Sequence, residues 1–407
     1  MNPRVLILTT YYHPVVGGVE SNARRLAGYL RAADFDVRVL TKRVAPGLAD
    51  VEDVDGVTVE RIGPVGERSA SGKWRLVPSA IGALVRTRST YDMVCCIDCR
   101  GIGVAAMAAR ALTGRRVLLQ AQTTGVMAGN TADPALEASG IAGEGRIARL
   151  LKAPARGIYR RADAFACISR IVEREMLAAG IPRARVHYLP NAVDMNRYRP
   201  PTENERRSCR RQLNLDAETV VCLFVGRLSR EKGLMELMEA WRQLQARTAE
   251  WNRVLLVAGP DMDGHPWNVG PAAREFARQH GLEGSVRFLG SIGDVAPLIR
   301  AADLVVQPSY FEALGLSAIE ALATGVPVIA SAVGGLLEFM VDGENGKMCP
   351  PRDAPALAAA LQTLLADTGL RAAMAGRARA SVSLEYDQAV VFERFAALLR
   401  ELTEAHP

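Results

Sequence analysis

Two glutamates, Glu312 and Glu320, stand on either side of a glycine-bearing turn in residues 310–331, YFEALGLSAIEALATGVPVIAS. The residues after the turn have the apolar spacing of a helix. Gly325 suits the position just after the C-terminus of that helix, and Pro327 prevents its continuation. The pattern predicts that Glu312 precedes the helix and that Glu320 lies within it.

Such a turn suits an anion, because N–H groups at a helix N-terminus and the helix dipole favour negative charge. One carboxylate can accept hydrogen bonds from the vicinal hydroxyls of a ribose, and the other can hold a sugar hydroxyl. The stretch therefore predicts a metal-free site for a diphosphate between two hydroxyl-bearing rings, as in a nucleotide-sugar. In the alternative, Glu320 is an ordinary solvated residue, but its Ala, Ile and Leu neighbours are a poor place for an unpaired charge.

A basic loop, GRLSREKGL, follows an apolar strand-like run and supplies Arg227 and Lys232. Both precede a helix, so they can converge on a diphosphate while the helix adds its dipole. Two cations can stabilise a leaving diphosphate, as a divalent ion does in other enzymes. The alternative is a pair of solvated surface charges.

A second glycine-bearing loop, YYHPVVGGVES, follows the first strand-like run. Gly17 and Gly18 open a helix there and allow the backbone to approach a phosphate or a sugar closely. The loop lacks the G-x-G-x-x-G fingerprint of dinucleotide sites, and a simple tight turn is the alternative. His13 is either a substrate contact or an ordinary surface histidine.

Strand-like and helix-like runs alternate along the chain, which predicts parallel sheets covered on both faces. The pattern restarts after Arg199-Pro200-Pro201, so we expect two facing, doubly wound, Rossmann-like domains, with ligands in the cleft between them. The predicted domains are residues 1–198 and 199–387, with a C-terminal helix at about 388–407 packing back on the first. The predicted strands are 4–10, 37–41, 57–62, 91–98, 115–122, 162–169, 220–229, 253–260, 286–290, 302–309 and 327–331.

Composition and charge restrict the class of protein. The 407 residues carry 50 Lys and Arg against 44 Asp and Glu, a net charge of +6. Basic residues are concentrated between Arg146 and Arg161, including Arg149, Lys152 and Arg156, which suggests a solvated helix face or a peripheral contact with anionic lipid. No nucleic-acid motif accompanies these charges, so nucleic-acid binding is not expected.

Cysteine usage and the start of the chain favour the cytoplasm. The seven cysteines include a C-x-x-C pair, Cys96 and Cys99, but no second pair at zinc spacing, so neither a metal nor a disulfide framework is expected. The opening MNPRVLILTT reads as a strand rather than a signal peptide. No apolar run reaches the roughly 18 residues of a membrane-spanning helix.

These motifs, in this order, resemble retaining glycosyltransferases of family 4, which have the GT-B architecture of two facing Rossmann-like domains. The resemblance covers nearly the whole chain and includes the Glu-x7-Glu spacing of Glu312 and Glu320. The other matching segments are GGVE (17–20), IS (168–169), LPNAVD (189–194), GRLSREKG (226–233), Gly334-Gly335 with Glu338, and DGENG (342–346).

The resemblance implies a role for each matching position. Arg227 and Lys232 would neutralise the donor diphosphate, Glu320 would hold the ribose, and Glu312 would hold a donor-sugar hydroxyl. Gly17 and Gly18 would close on the donor from the N-terminal domain. The remaining implied donor contacts are the backbone of Ala313, Leu314, Gly315 and Leu316, and base-bordering residues near Leu289–Ser291 and Val306-Gln307.

Three positions depart from the family pattern. Gln122 replaces a frequent histidine; it can still hydrogen-bond a sugar hydroxyl, but it cannot ionise at neutral pH. Ala313 replaces a glycine that often follows the first glutamate, which trims the sugar pocket. Ala192 replaces the usual glycine of LPNAVD, which indicates a local backbone change.

The expected activity is hexosyl transfer from a UDP- or GDP-sugar to an acceptor hydroxyl, with retention, by front-face displacement and without metal or cofactor. The resemblance leaves the acceptor open among saccharides, lipid-linked molecules and small molecules. Two rivals are a nucleotide-sugar epimerase of the same architecture and a non-catalytic nucleotide-sugar-binding protein.

Overall fold

The protein, in a computed structural model, folds as two compact α/β units. The first comprises Met1–Ala192 and Ala389–Pro407, and the second comprises Val193–Gln388. The boundary between the units lies six residues before the predicted one. The structure describes residues 2–15, 17–63, 65, 70–127, 157–247 and 252–404.

The first unit is built on an eight-stranded sheet with the order β3-β4-β2-β1-β5-β6-β7-β8. Its strands are β1 (Arg4–Thr9), β2 (Asp36–Lys42), β3 (Val51–Val54), β4 (Val57–Ile62), β5 (Met93–Ile97), β6 (Arg116–Ala121), β7 (Ala164–Cys167) and β8 (Val186–Tyr188). Its helices are α1 (Gly18–Ala32), α2 (Ala70–Arg86), α3 (Gly103–Thr113), α4 (Arg170–Ala178) and α13 (Gln388–Glu404), the label α13 following chain order.

All six strands predicted in this unit are confirmed. Their pairings are parallel, and β1 and β5 are almost wholly buried, as expected for a sheet covered on both faces. The sequence missed β3 and β8. The run of β3, VEDV, is half acidic and pairs antiparallel with β4, so it lacks the apolar signature used to find the others.

The helix α13 completes the core of the first unit. Phe392, Phe395 and Leu399 of α13 join a buried cluster with Leu26 and Leu30 of α1 and the strands beneath. Tyr29 on α1 also donates a hydrogen bond of 2.7 Å to Glu393. A helix that follows the whole second unit in sequence is thus part of the first.

The second unit contains a six-stranded parallel sheet with the order β11-β10-β9-β12-β13-β14. Its strands are β9 (Val220–Val225), β10 (Arg253–Ala258), β11 (Val286–Gly290), β12 (Leu304–Gln307), β13 (Val328–Ser331) and β14 (Gly346–Cys349). Its helices are α5 (Glu203–Gln212), α6 (Leu234–Arg247), α7 (Gly270–Gln279), α8 (Ala296–Ala301), α9 (Leu316–Ala323), α10 (Ala354–Ala366), α11 (Thr368–Ala378) and α12 (Ala380–Tyr386).

The five strands predicted in this unit are also confirmed, but three of them end earlier than predicted. The predicted runs at 220–229, 253–260 and 302–309 leave the sheet two to four residues early. The residues that leave, GRLS, GP and PS, are those that form loops beyond the carboxyl ends of the strands. These loops hold most of the predicted site residues of this unit.

Within the described ranges, no helix is both long enough and apolar enough to cross a bilayer. The predicted basic stretch lies largely outside those ranges, including Arg149, Lys152 and Arg156, so its interpretation stays a prediction.

Candidate active site

The turn before α9 has the form that the sequence predicts. Gly315 caps the helix with φ of 94°, a left-handed conformation that favours glycine, and a Cβ there would lie 2.5 Å from a methyl carbon of Leu336. At the other end Gly325 also has positive φ, 76°, just after the C-cap Thr324. Glu312 therefore precedes α9 and Glu320 lies inside it, as predicted.

Glu312 is buried and is the centre of a hydrogen-bonded cluster. Lys232 Nζ lies 2.5 Å from Glu312 Oε1. Gln307 Nε2 donates to the same oxygen at 2.7 Å, and Ser309 Oγ donates to it at 2.8 Å. One carboxylate oxygen thus receives a charged donor and two neutral donors. We call these four residues the Glu312 cluster.

Burial by itself would raise the pKa of Glu312. The charge of Lys232 and the hydrogen bonds from Lys232, Gln307 and Ser309 outweigh that effect, so the pKa lies below its ordinary value. Glu312 is therefore an ionised carboxylate at neutral pH.

The basic loop reaches this cluster because it packs on the end of β12. Gly233 has φ of 70°, and a Cβ there would lie 1.9 Å from the carbonyl oxygen of Pro308. Tyr310 also donates its N–H to the carbonyl of Glu231 at 2.8 Å. These contacts place Lys232 next to Glu312, although 80 positions separate the two residues in sequence.

Arg227, on the same loop, has a different partner. Its side chain is 52% exposed, and its guanidinium lies 3.3 Å from Glu231 Oε1. The sequence predicts that Arg227 and Lys232 face one diphosphate, whereas the structure pairs each of them with a glutamate. An arriving anion would compete with Glu231 for Arg227 and with Glu312 for Lys232.

Two glycines fix the backbone around Glu312. Gly335 donates its N–H to the carbonyl of Glu312 at 2.9 Å. A Cβ on Gly334 would lie 2.0 Å from the same carbonyl oxygen, and one on Gly335 would lie 2.4 Å from that of Ala313. Only glycines permit this approach, so the Gly334-Gly335 pair supports the segment that carries the first glutamate.

The other predicted donor-binding positions of this unit differ in exposure. Glu320 is partly exposed. The pKa of Arg197 is raised mainly by the hydrogen bond that Arg197 donates to Asp294, and the charge of Glu320 adds to that effect. The side chain of Val306 lies in the core, which leaves only its backbone for a ligand. Leu314 and Gly315 are buried, whereas Leu289, Ala313 and Leu316 are partly exposed.

In the first unit, Gln122 belongs to a buried network of three side-chain amides. Asn191 Nδ2 donates to Gln122 Oε1 at 2.7 Å, and Gln122 Nε2 donates back to Asn191 Oδ1 at 3.3 Å. Asn22 Nδ2 donates to Asn191 Oδ1 at 3.1 Å, and Asn22 Oδ1 accepts the N–H of Ala192 at 3.0 Å. We call these three residues the amide network. None of its side chains is ionisable.

The glycine loop of the first unit leads directly into α1. Gly18 is the first residue of α1, and Gly17 caps the helix in an extended conformation with φ of −179°. A Cβ on Gly17 would lie 2.2 Å from Glu20 Oε2, so a side chain at 17 would displace that carboxylate. His13 shares a hydrogen bond of 3.3 Å with Arg24, through its ring nitrogen Nδ1.

The sequence does not predict the hydrogen bonds made by four residues of the Glu312 cluster and the amide network. Gln307 was predicted only to border the base, and Ser309, Asn22 and Asn191 were assigned no role. A polar Gln and Ser at the end of the apolar strand β12, just before Glu312, was the available signal. Asn191 lies in LPNAVD, where its polar side chain follows a buried strand.

The described residues contain no group of three or more His, Cys, Asp or Glu side chains placed to hold a metal ion. All seven cysteines are free thiols. Burial raises the pKa of Cys96 and of Cys99 well above the ordinary value, so both are unreactive.

Two family models match the chain. The glycosyl transferases group 1 model matches residues 205–381, and the glycosyl transferase 4-like domain model matches residues 17–192. A D-inositol 3-phosphate glycosyltransferase of Salinispora arenicola (strain CNS-205) is 38% identical over 217 residues, which are 51% of this chain and 48% of that protein. The chain thus spans about half the length of the curated relatives it matches.

Solved structures match over nearly the whole length. Sucrose-phosphate synthase from Thermosynechococcus elongatus has a TM-score of 0.83 at 26% identity, covering 99% of this chain and 100% of that one. Anabaena Alr3699/HepE, solved in complex with UDP-glucose, has a TM-score of 0.77 at 22% identity, covering 98% and 99%. Most of the chain therefore consists of a glycosyl transferase 4-like domain and a glycosyl transferases group 1 domain, in the GT-B fold of two Rossmann-like units.

Proposed function

We propose that this protein transfers a sugar from a nucleotide-diphosphate-sugar to an acceptor hydroxyl, with retention at the anomeric carbon and without a metal ion. The single observation that carries the proposal is the pairing of Lys232 with the ionised Glu312 just before the N-terminus of α9. A cation for the diphosphate and a carboxylate for the sugar are thus adjacent, beside a helix terminus that favours anions.

In the proposed reaction, Lys232 and Arg227 neutralise the diphosphate as negative charge develops on it. The acceptor oxygen bonds to the anomeric carbon on the face from which the diphosphate departs. The acceptor proton passes to an oxygen of the departing diphosphate, which leaves as a nucleoside diphosphate. Glu312 holds a hydroxyl of the transferred sugar, and Glu320 holds the ribose.

The first unit contributes Gly17, Gly18 and Gln122 in this proposal. The backbone at the start of α1 can approach the donor closely, because neither glycine has a side chain. Gln122 presents a neutral amide to a sugar hydroxyl, so this contact does not depend on pH near neutrality.

For the donor we propose a UDP-sugar, because the solved structures of similar fold include complexes with UDP and UDP-glucose. For the acceptor we propose a small polyol of the sugar or inositol phosphate class, because the curated relatives are named for D-inositol 3-phosphate.

The experiment is a panel of UDP-, GDP- and ADP-sugars, measured by thermal shift and then by NMR of the products. A bound donor raises the apparent stability of the protein, and we expect UDP-sugars to do so most. With an inositol phosphate or sugar acceptor, the product should keep the anomeric configuration of the donor, also in the presence of a chelator.

Incubation without acceptor is the control. Conversion of the donor to a different nucleotide-sugar would identify an epimerase, and binding without turnover on any acceptor would identify a binding protein. An inverted product or a chelator-sensitive rate would contradict the proposed mechanism.

A further inference from the structure

The hydrogen bonds of Glu312 are distributed unequally between its two oxygens. Within the described part of the chain, Lys232, Gln307 and Ser309 all donate to Oε1. Oε2 receives none of these donors and is therefore the oxygen left for a hydroxyl of a ligand.

The three donors differ in how much they can move. The side chain of Lys232 is flexible and 21% exposed. In the proposed function its ammonium binds the diphosphate. Gln307 is 6% exposed and Ser309 is fully buried. Gln307 is the last residue of β12, and Ser309 follows two residues later, so packing restricts both side chains. When Lys232 turns toward a phosphate, these two neutral donors continue to hold the carboxylate.

From this geometry we propose that Gln307 and Ser309 are positioning residues: they fix Oε1 of Glu312 so that Oε2 faces the hydroxyl of the donor sugar. The inference rests on the proposed function of Glu312 as the sugar-binding carboxylate. Neither residue touches the reacting atoms, so their effect is exerted through Glu312.

The orientation of the Gln307 amide agrees with this role. Its Oε1 is buried and accepts no hydrogen bond from the described residues, so the bond from Nε2 to Glu312 is what orients the group. A flipped amide would place two oxygens against each other.

The test compares Gln307→Met and Ser309→Ala with the wild type, in steady-state kinetics with the nucleotide-sugar that the thermal-shift panel selects as donor. We expect kcat to fall roughly ten-fold in each variant, since each loses one hydrogen bond to a charged group, while KM for the donor changes little. Ser309→Thr keeps the hydroxyl and should restore most of the rate.

A pH profile separates positioning from general damage. Both donors stabilise the ionised form of Glu312, so removing either raises its pKa and moves the acidic limb of kcat/KM to higher pH. The matched control is Gln243→Met, which removes a similar Gln-to-Glu hydrogen bond, 3.0 Å to Glu239, on α6. It should leave both kcat and the acidic limb unchanged.

A second measurement does not need turnover. NMR titration of ¹³C-labelled glutamate carboxyls reads the pKa of Glu312 directly, with Glu312→Gln identifying the signal. A higher pKa in Gln307→Met and in Ser309→Ala supports the inference, and an unchanged pKa in both overturns it. Unchanged kcat in both variants of an active enzyme also overturns it. A wild type without transferase activity overturns the proposed function instead, and the titration then decides the inference.

Discussion

Both units contain buried polar side chains beyond the end of a strand, but the side chains are charged in one unit and neutral in the other. Each places buried polar side chains at the carboxyl end of a central parallel strand, at β12 in the second unit and just after β6 in the first. In the Glu312 cluster the central interaction is between full charges, Lys232 and Glu312. In the amide network, which joins Gln122, Asn191 and Asn22, every group is neutral.

This difference shows what each arrangement is suited to do. A buried ion pair is costly to desolvate and strongly coupled, so an incoming phosphate can compete for its cation. A neutral amide network is insensitive to pH and keeps its hydrogen bonds whether or not an anion arrives. The charged cluster suits an exchange of partners, whereas the amide network suits a fixed surface for hydroxyl groups.

The largest effect is expected from Lys232→Met, which removes the cation from the charged cluster. It leaves Glu312 buried without a cation, so we expect about 3 kcal/mol of lost stability at neutral pH and loss of transfer. Urea unfolding measures the stability. The control is Lys347→Met, which removes a more exposed pair, 3.8 Å from Asp342, and should change stability by less than about 0.5 kcal/mol.

The same variant has a defined pH dependence. In the wild type the folded pKa of Glu312 is below the ordinary 4.5, so its contribution is present above that pH and is lost as the pH falls through the folded value. Without Lys232, burial raises the folded pKa, so stability is lost as the pH rises. The difference between the two proteins should therefore shrink in acid, and a constant difference would contradict this account.

A smaller effect is expected from Asn191→Asp, which puts a charge into the neutral network. The new carboxylate keeps the donors from Asn22 and Gln122, but it leaves Gln122 Oε1 without its donor. We expect a loss of about 2 kcal/mol at neutral pH, measured by urea unfolding. The loss should decrease in acid, where the carboxyl is protonated and can donate again. Asn196→Asp, at an exposed asparagine, is the control and should be close to neutral.

The smallest effect on stability is expected from Arg227→Gln. The Arg227 side chain is half exposed and its 3.3 Å contact with the less exposed Glu231 is long, so the pair is weak and stability should change by less than about 1 kcal/mol. Affinity for a nucleoside diphosphate should nevertheless fall about ten-fold, since a charge-assisted contact is lost. Calorimetric titration with UDP measures this, and Arg278→Gln, at a more exposed pair with Glu275, is the control. Equal affinities for UDP in the wild type, Arg227→Gln and Arg278→Gln would show that Arg227 does not bind the diphosphate.

The fold was largely predictable from the sequence, because parallel strands buried on both faces appear as short apolar runs. The turn before α9 was also predictable, since Gly315, Gly325 and Pro327 have local conformational roles. The bounds of the strands were less accurate, because apolar residues such as Leu228 continue past the point where β9 leaves the sheet.

The partners within the site were not predictable, because they are distant in sequence. Lys232 and Glu312 are 80 positions apart, and Gln122 and Asn191 are 69 apart. Spacing along the chain shows which residues reach a strand end, but it does not show which of them bind each other. The sequence therefore predicts a ligand contact for Lys232 but does not reveal that Lys232 pairs with Glu312.

The helix α13 can join the first unit only after the whole second unit has been synthesised. A nascent chain on the ribosome that has not yet reached Gln388 lacks the residues that cover the apolar side of α1, including Phe392, Phe395 and Leu399. During translation the N-terminal unit therefore stays incomplete until α13 is made. Until then it has an uncovered apolar surface of the kind that chaperones recognise. The second unit is continuous in sequence and has no such delay, so the unit that begins later in the sequence can be the first to finish folding.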